Sequence, residues 1–240
     1  MRIKGRRLIK SVALTVHRPL RPLLQAMGVD TKGLYEWAYW KSRQIEEGTL
    51  GNSWYAEIFT RCVGIEKEFY NGKKILDIGC GPRGSLEWAT MAAERVGLDP
   101  LVDRYRALGI DHHSTHYVKA SAEEIPYPDD YFDVVSSINS LDHVDDVDAA
   151  IREMIRVLAP GGLIVLVVEI HPKPTIAEPH ALPWNLTRRF EPAMCVIEER
   201  HLENPKDGPR YFDVQVPFDH NDGTERAGML ITKMTKPLPA

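Results

Sequence analysis

The sequence predicts an α/β fold, a mostly parallel sheet with helices on both faces. Three observations carry this. Between residues 74 and 170, apolar runs of strand length alternate with stretches of helical spacing, and such alternation builds a parallel sheet covered on both sides. The first run ends in a glycine-rich turn, Gly79, Gly81 and Gly84. Twenty residues after Gly79, an acidic residue, Asp99, closes the second run.

The elements follow in chain order. Residues 1–30 form a basic arm: positions 1–29 hold seven Lys or Arg and no Asp or Glu, while the remainder holds 23 basic and 34 acidic residues, a balance of −11. Residues 31–72 read as a helical lid, interrupted at Gly48 and Gly51 and closed by a turn at Asn71 and Gly72. Residues 73–240 form the main domain. Its expected order is strand 74–79, helix 85–95, strand 96–99, helix 101–108, strand 116–120, strand 132–138, helix 147–158 and strand 162–170. The helix 147–158 carries Ile151, Met154, Ile155 and Leu158 at helical spacing. "LAPGGL" ends that helix with Gly161 in the cap position. Two late strands, 194–199 and 228–234, are expected to form an antiparallel pair, with a strand or hairpin at 210–216 between them.

Composition narrows the classes. An apolar content of 43% and a charged content of 27% are ordinary for a soluble globular protein. Cys62, Cys80 and Cys195 are odd in number and dispersed; they offer no disulfide framework and no zinc spacing, which points to a reducing compartment and a cytoplasmic location. No apolar run approaches the ~20 residues of a membrane span. The basic arm has two readings. It is a solvated arm, or an amphipathic segment, residues 1–24, in peripheral contact with an anionic membrane face, which would place the protein at the inner face of the membrane. His17, Arg18 and Pro19 stand where a signal peptide would need small residues. The acidic body argues against nucleic acid as a partner. Oligomeric state is not legible.

The strand, glycine turn and helix start form a cradle for an anionic or polar ligand. Asp99 is placed to grip the two ribose hydroxyls of a nucleotide-type cofactor. Asp77, two residues before the first glycine, is a carboxylate at the carboxyl end of a strand. It suits a ligand with a positive amino group and argues against a nicotinamide dehydrogenase. Its alternative role is to cap the glycine loop or the helix start.

"ILDIGCGPRG", "VGLDP", "ASAEEIPYPDDYFDVVSSINSLDHVDD" and "VLAPGGLIVLV", in this order, resemble the class I S-adenosylmethionine-dependent methyltransferases over about residues 74–168. The resemblance implies a Rossmann-like seven-stranded sheet with a reversed last strand, and S-adenosyl-L-methionine as cofactor. It implies that Asp77, Gly79 and Gly81 line the methionine end, with Asn139 beside it. Asp99 would hold the ribose, and Pro100 would shape the turn beside the adenine. Ser121 stands where the family usually has Asp, and would accept from the adenine amino group without charge assistance. Ala122 would offer a backbone amide and Glu123 a neighbouring contact. Pro82 and Arg83 depart from the small residues frequent in this loop; Arg83 is expected to face solvent.

"NSLDH" follows the fourth strand, where methyl and acceptor should meet. His143 is a candidate base near neutral pH, and Asp142 competes for that role. Glu169, His171, Glu178 and His180 lie in a proline-rich loop whose spacing fits no standard metal motif; a polar acceptor loop is expected there and no metal. Trp37, Tyr39, Trp40, Trp54 and Tyr55 either stack on adenine or a sugar ring or pack the lid. The layout of the lid is similar to bacterial methyltransferases of polysaccharide and glycolipid assembly. The expectation is O-methylation of a small molecule or saccharide. Alternatives are N- or C-methylation of another metabolite or lipid, and a non-catalytic cofactor-binding protein.

Overall fold

A computed structural model describes residues 30–175, 177–204 and 216–239. The proposed membrane-contacting segment 1–24 lies outside the described residues, as does the predicted strand 210–216 except Val216. Among the described residues, seven strands form one sheet: β1 Lys74–Ile78, β2 Glu94–Leu98, β3 His116–Val118, β4 Phe132–Ile138, β5 Leu158–Ile170, β6 Cys195–Glu203 and β7 Gly228–Thr235. Their order is β3-β2-β1-β4-β5-β7-β6. β1 to β5 pair in parallel, and β7 runs antiparallel to both β5 and β6. The reversed last strand is therefore present. The strand order reverses between β1 and β4, and the crevice at their carboxyl ends is where ligands bind in open sheets of this kind.

Both faces of the sheet are packed, as its apolar strands require. Along β5, Ile164, Leu166 and Val168 enter one core while Leu163, Val165 and Val167 enter the other. The first core takes the buried face of a helix, Val147–Val157, through Val147, Ala150, Ile151, Met154 and Val157. Asp146 caps that helix by accepting from the Ala149 amide at 3.0 Å. The second core takes Phe59, Val63 and Tyr70 from the segment before β1. That segment begins with helix α1, Thr31–Glu47, which ends at Gly48 with φ +79°. It continues through α2, Tyr55–Glu57, and a wider turn, Ile58–Cys62. After β2 come the short helix α3, Val102–Tyr105, and a tight turn, Arg106–Leu108; Val147–Val157 is then α4.

Three local expectations are corrected. Residues 85–93 are not a helix but a chain of turns, with Glu87, Ala89 and Ala92 amides each donating to the carbonyl three residues back. Helical bonds are pre-empted there. Arg95 donates to the carbonyls of Leu86 and Glu87, and the Glu87 carboxylate is held by the amides of Ser114 and Thr115. Leu86 and Ala89 are buried three residues apart, a spacing that turns and helices share. Second, Gly161 does not cap α4, which ends at Val157. Gly161 lies within β5 at φ +76°, where pairing with β4 is irregular between Phe132 and Val134; Leu158 belongs to the strand. Third, the strand expected at 194–199 continues to Glu203.

Candidate cofactor and acceptor site

The loop after β1 is shaped by backbone that only glycine adopts readily. Gly79, Gly81 and Gly84 have φ of +67°, +59° and +76°. A side chain on Gly79 would run into Ser140, whose hydroxyl donates to the Ile78 carbonyl at 2.6 Å. The turns that follow β1 and β4 are thus pressed together at the switch point.

Asp99 joins this loop to the end of β2. Its carboxylate accepts from the Gly81 amide at 3.2 Å and from the Leu101 amide at 2.9 Å. Burial pushes its pKa up to about 6 against these bonds. Asp77 is also buried, and its carboxylate accepts from the Ser85 and Ser136 hydroxyls, the latter at 2.8 Å. Burial pushes its pKa to about 6 as well, with the hydroxyl bonds opposing. Its contacts match the alternative reading of Asp77, a carboxylate that fixes the far end of the glycine loop.

Asn139 follows β4 with φ +50°, an uncommon conformation for a residue other than glycine. Its amide donates to the Val167 carbonyl at 2.7 Å, and its side-chain Oδ1 is buried without a hydrogen-bond partner among the described residues. Backbone strain and an orphaned acceptor together mark a functional position. Pro100 is exposed, two residues past the end of β2. Ala122 is buried in the core below. Ser121 is exposed on a cavity of about 420 Å³, lined also by Ala120, Ile125, Glu153 and Arg156. Glu123 accepts from the amides of Asp145 and Asp146 at 2.7 and 3.1 Å, which ties this loop to the start of α4.

Arg83 does not face solvent. It is 6% exposed and makes two parallel 2.8 Å bonds to Glu47 on α1, plus one to the Gly51 carbonyl. Its guanidinium lies between Trp40 and Trp54, at 5.4 and 5.9 Å. Sequence reasoning missed this; the signal was Arg in a glycine loop together with an acidic, aromatic helix upstream. Trp40 meets Gly81, whereas Tyr55 is buried in the second core and Tyr39 is 42% exposed.

The turn after Asn139 carries the acceptor candidates. Asp142 is 2% exposed; burial raises its pKa, with His143 and His171 opposing. His143 Nδ1 lies 3.3 Å from Glu36 Oε1 on α1, and its Nε2 lies 3.8 Å from Asp142 Oδ1. Burial works against the charged ring, but Glu36, Asp142 and Glu178 outweigh it and raise its pKa. From the loop after β5, His171 Nε2 comes to 3.4 Å from Asp142 Oδ2 and 4.0 Å from Glu178 Oε2. His180 instead bonds the Val144 carbonyl at 3.0 Å. The fold therefore gathers Asp142, His143, His171 and Glu178, which are dispersed over 37 positions of sequence.

This crevice fits a cofactor with a cationic amino group and vicinal hydroxyls: an orphaned acceptor at Asn139, a carboxylate at Asp99 and a close-approach glycine loop converge on it. Residues 76–166 match the family model described as a methyltransferase domain. Residues 76–166 thus form a methyltransferase domain on a class I fold, and the chain is similar to S-adenosylmethionine-dependent methyltransferases. It is 40% identical over 175 residues to the ubiquinone/menaquinone biosynthesis C-methyltransferase UbiE of Vibrio cholerae, covering 66% of this chain and 62% of that protein. It is 34% identical over 128 residues to the chloroplastic tocopherol O-methyltransferase of Arabidopsis thaliana, covering 50% of this chain and 36% of that one. The chain thus spans less than two thirds of these curated relatives. The N-methyltransferase NodS of Bradyrhizobium japonicum, solved with S-adenosyl-L-homocysteine, shares the fold with a TM-score of 0.55 at 15% identity, over 78% of this chain and 89% of that one. No helix among the described residues is long and apolar enough to cross a membrane.

Proposed function

We propose that this protein transfers a methyl group from S-adenosyl-L-methionine to an oxygen of a small molecule, with a saccharide hydroxyl as the leading acceptor. The observation that carries this reading is the buried Asp142 and its neighbour His143, set directly after the Ser140 turn that packs on the glycine loop. Bound cofactor supplies a methyl sulfonium, already a strong electrophile. The chain's part is to align the acceptor and exclude water. Asn139 Oδ1 accepts from the cofactor's amino group, and Asp99 from its ribose. Gly79 and Gly81 let the backbone approach, Asp77 holds their loop through Ser85, and Pro100, Ser121, Ala122 and Glu123 border the adenine side.

His143 takes the proton of the acceptor hydroxyl. A carboxylate can only accept, so the Glu36 contact at Nδ1 favours the tautomer with its proton there and leaves Nε2 as the base. Asp142 stabilises the charged ring that forms. His143→Ala should lower turnover on the order of 10²-fold or more while S-adenosylhomocysteine affinity stays near that of the unaltered protein. Full activity in that variant would remove His143 from proton transfer.

A second reading has a specific support, the 40% identity to a quinone C-methyltransferase. A carbon acceptor also loses a proton, so the same residues would serve. On this reading the basic stretch 1–24 holds the protein at the cytoplasmic face of a membrane. Methyl transfer from labelled cofactor to sugars and to prenylated quinols, tested side by side, separates the two.

A further inference from the structure

Asp142, His143 and Glu178 each bring a ligand-type atom within 4.8 Å of the other two. Two come from the turn after β4 and the third from the loop after β5. His171, from that same loop, adds a fourth. Its Nε2 faces Asp142 Oδ2 at 3.4 Å and Glu178 Oε2 at 4.0 Å.

The tautomers decide what these contacts are. His171 Nδ1 lies 2.7 Å from the Lys173 carbonyl. A carbonyl only accepts, so Nδ1 carries a proton and Nε2 is the ring nitrogen left to face the carboxylates. His143 is arranged the same way, with Nδ1 on the Glu36 carboxylate and Nε2 turned to Asp142 Oδ1 at 3.8 Å. The Nε2 atoms of both rings therefore face the Asp142 carboxylate, and Glu178 closes the corner. Asp142 Oδ1 and His171 Nε2 are both buried there with no hydrogen-bond partner among the described residues. A bound cation would satisfy both buried groups.

We propose that Asp142, His143, His171 and Glu178 bind one divalent transition-metal ion. Two imidazoles and two carboxylates suit Zn²⁺ or Mn²⁺. Ligand bonds of about 2.0–2.2 Å place neighbouring donors about 3.0–3.6 Å apart, so the Asp142, His143 and Glu178 donors, within 4.8 Å of one another, would draw in by up to about 1–2 Å through side-chain rotation. The outer partners are in place: Lys173 and Glu36 orient the two rings, and Thr175 donates to Glu178 Oε2 at 2.7 Å. The ion would meet the acceptor hydroxyl and favour its deprotonated form. That consequence rests on the function proposed above, and in the metal-loaded form His143 is a ligand rather than the base. The metal site itself stands without that reading.

The test uses the full chain, stripped with chelator and titrated with Mn²⁺ by electron paramagnetic resonance and with Zn²⁺ by calorimetry. One ion per chain is expected, with a rise in Tm that chelator reverses. Asp142→Asn, His171→Gln and Glu178→Gln should each weaken binding on the order of tenfold or more. Glu178→Gln lies in a surface loop and guards against a folding defect in the first. S-adenosylhomocysteine affinity, measured on the same samples, should stay unchanged. No stoichiometric binding, or binding that all three substitutions leave intact, overturns the metal site. If S-adenosylhomocysteine still binds in that case, the methyltransferase reading survives and the two failures are distinguished.

Discussion

Trp40 of helix α1 rests on the glycine loop, its Cζ2 atom 3.2 Å from where a Cβ on Gly81 would stand. The same helix sends Glu36 to His143 and Glu47 to Arg83. Positions 36, 40 and 47 share one helical face. That face carries the contacts to both halves of the site, so α1 is its cover.

Trp40→Ala should therefore loosen the cover without unfolding the domain. S-adenosylhomocysteine should dissociate faster and bind on the order of tenfold more weakly, since one large aromatic contact is worth about 1–3 kcal/mol. Stopped-flow dissociation checks this. An unchanged off-rate would assign Trp40 to packing against the cluster of Val102, Tyr105, Leu108 and Ile110 that it borders.

Arg83 and Glu47 should behave as one unit. Glu47→Gln leaves the buried Arg83 guanidinium short of its partner, at a cost of about 1–3 kcal/mol, whereas Arg83→Met leaves an exposed Glu47 that keeps Arg43 and should cost less. The double variant should cost less than the sum. A double-mutant cycle in urea measures the coupling; strict additivity would contradict the bidentate pair.

Asn139→Gly separates strain from binding. Glycine relieves the positive φ, so Tm should hold or rise. The orphaned Oδ1 is lost, so cofactor affinity should fall several-fold. Calorimetry on the same preparation reads both, and unimpaired affinity would remove Asn139 from the methionine end.

Asp77 and Asp99 both carry pKa values pushed up to about 6 by burial. Asp77 faces Ser85, Ser136 and the Asp99 charge; Asp99 faces the Gly81 and Leu101 amides, Glu36 and His143. Without cofactor, the folded chain keeps protons that the unfolded chain releases near the ordinary carboxylate value of about 3.9. Their contribution to stability is therefore fully present below about pH 4, is lost as pH rises to about 6, and is flat above that. Ribose hydroxyls that donate to Asp99 favour its ionised form, and a cationic amino group held at Asn139 favours charge on nearby Asp77 through space. S-adenosylhomocysteine binding should thus strengthen from about pH 5 to about pH 7 with proton release. A flat affinity profile would contradict this placement of the two acids.

Much of the sheet was legible because strand alternation and a glycine turn are local signals. Asp77, Asp99, Asn139 and the Asp142–His143 pair all sit at strand ends, where position along the chain fixes position in the crevice. The failures were non-local. Leu86 and Ala89 carry helical spacing, but Arg95 claims backbone carbonyls that a helix would use, and the Ser114–Thr115 amides anchor the Glu87 side chain away from one. Arg83 looked solvent-facing until α1 was folded over it. The corner shared by Asp142, His171 and Glu178 joins two loops, and no spacing rule along the chain encodes it.

The most direct test of the account is thermal stability with S-adenosylhomocysteine, S-adenosylmethionine and NAD titrated separately, on the unaltered protein and on Asp99→Ala. The account predicts that Tm rises with the first two and not with NAD, and that Asp99→Ala abolishes most of the rise. A response to NAD, or no response to either adenosyl ligand, would contradict it.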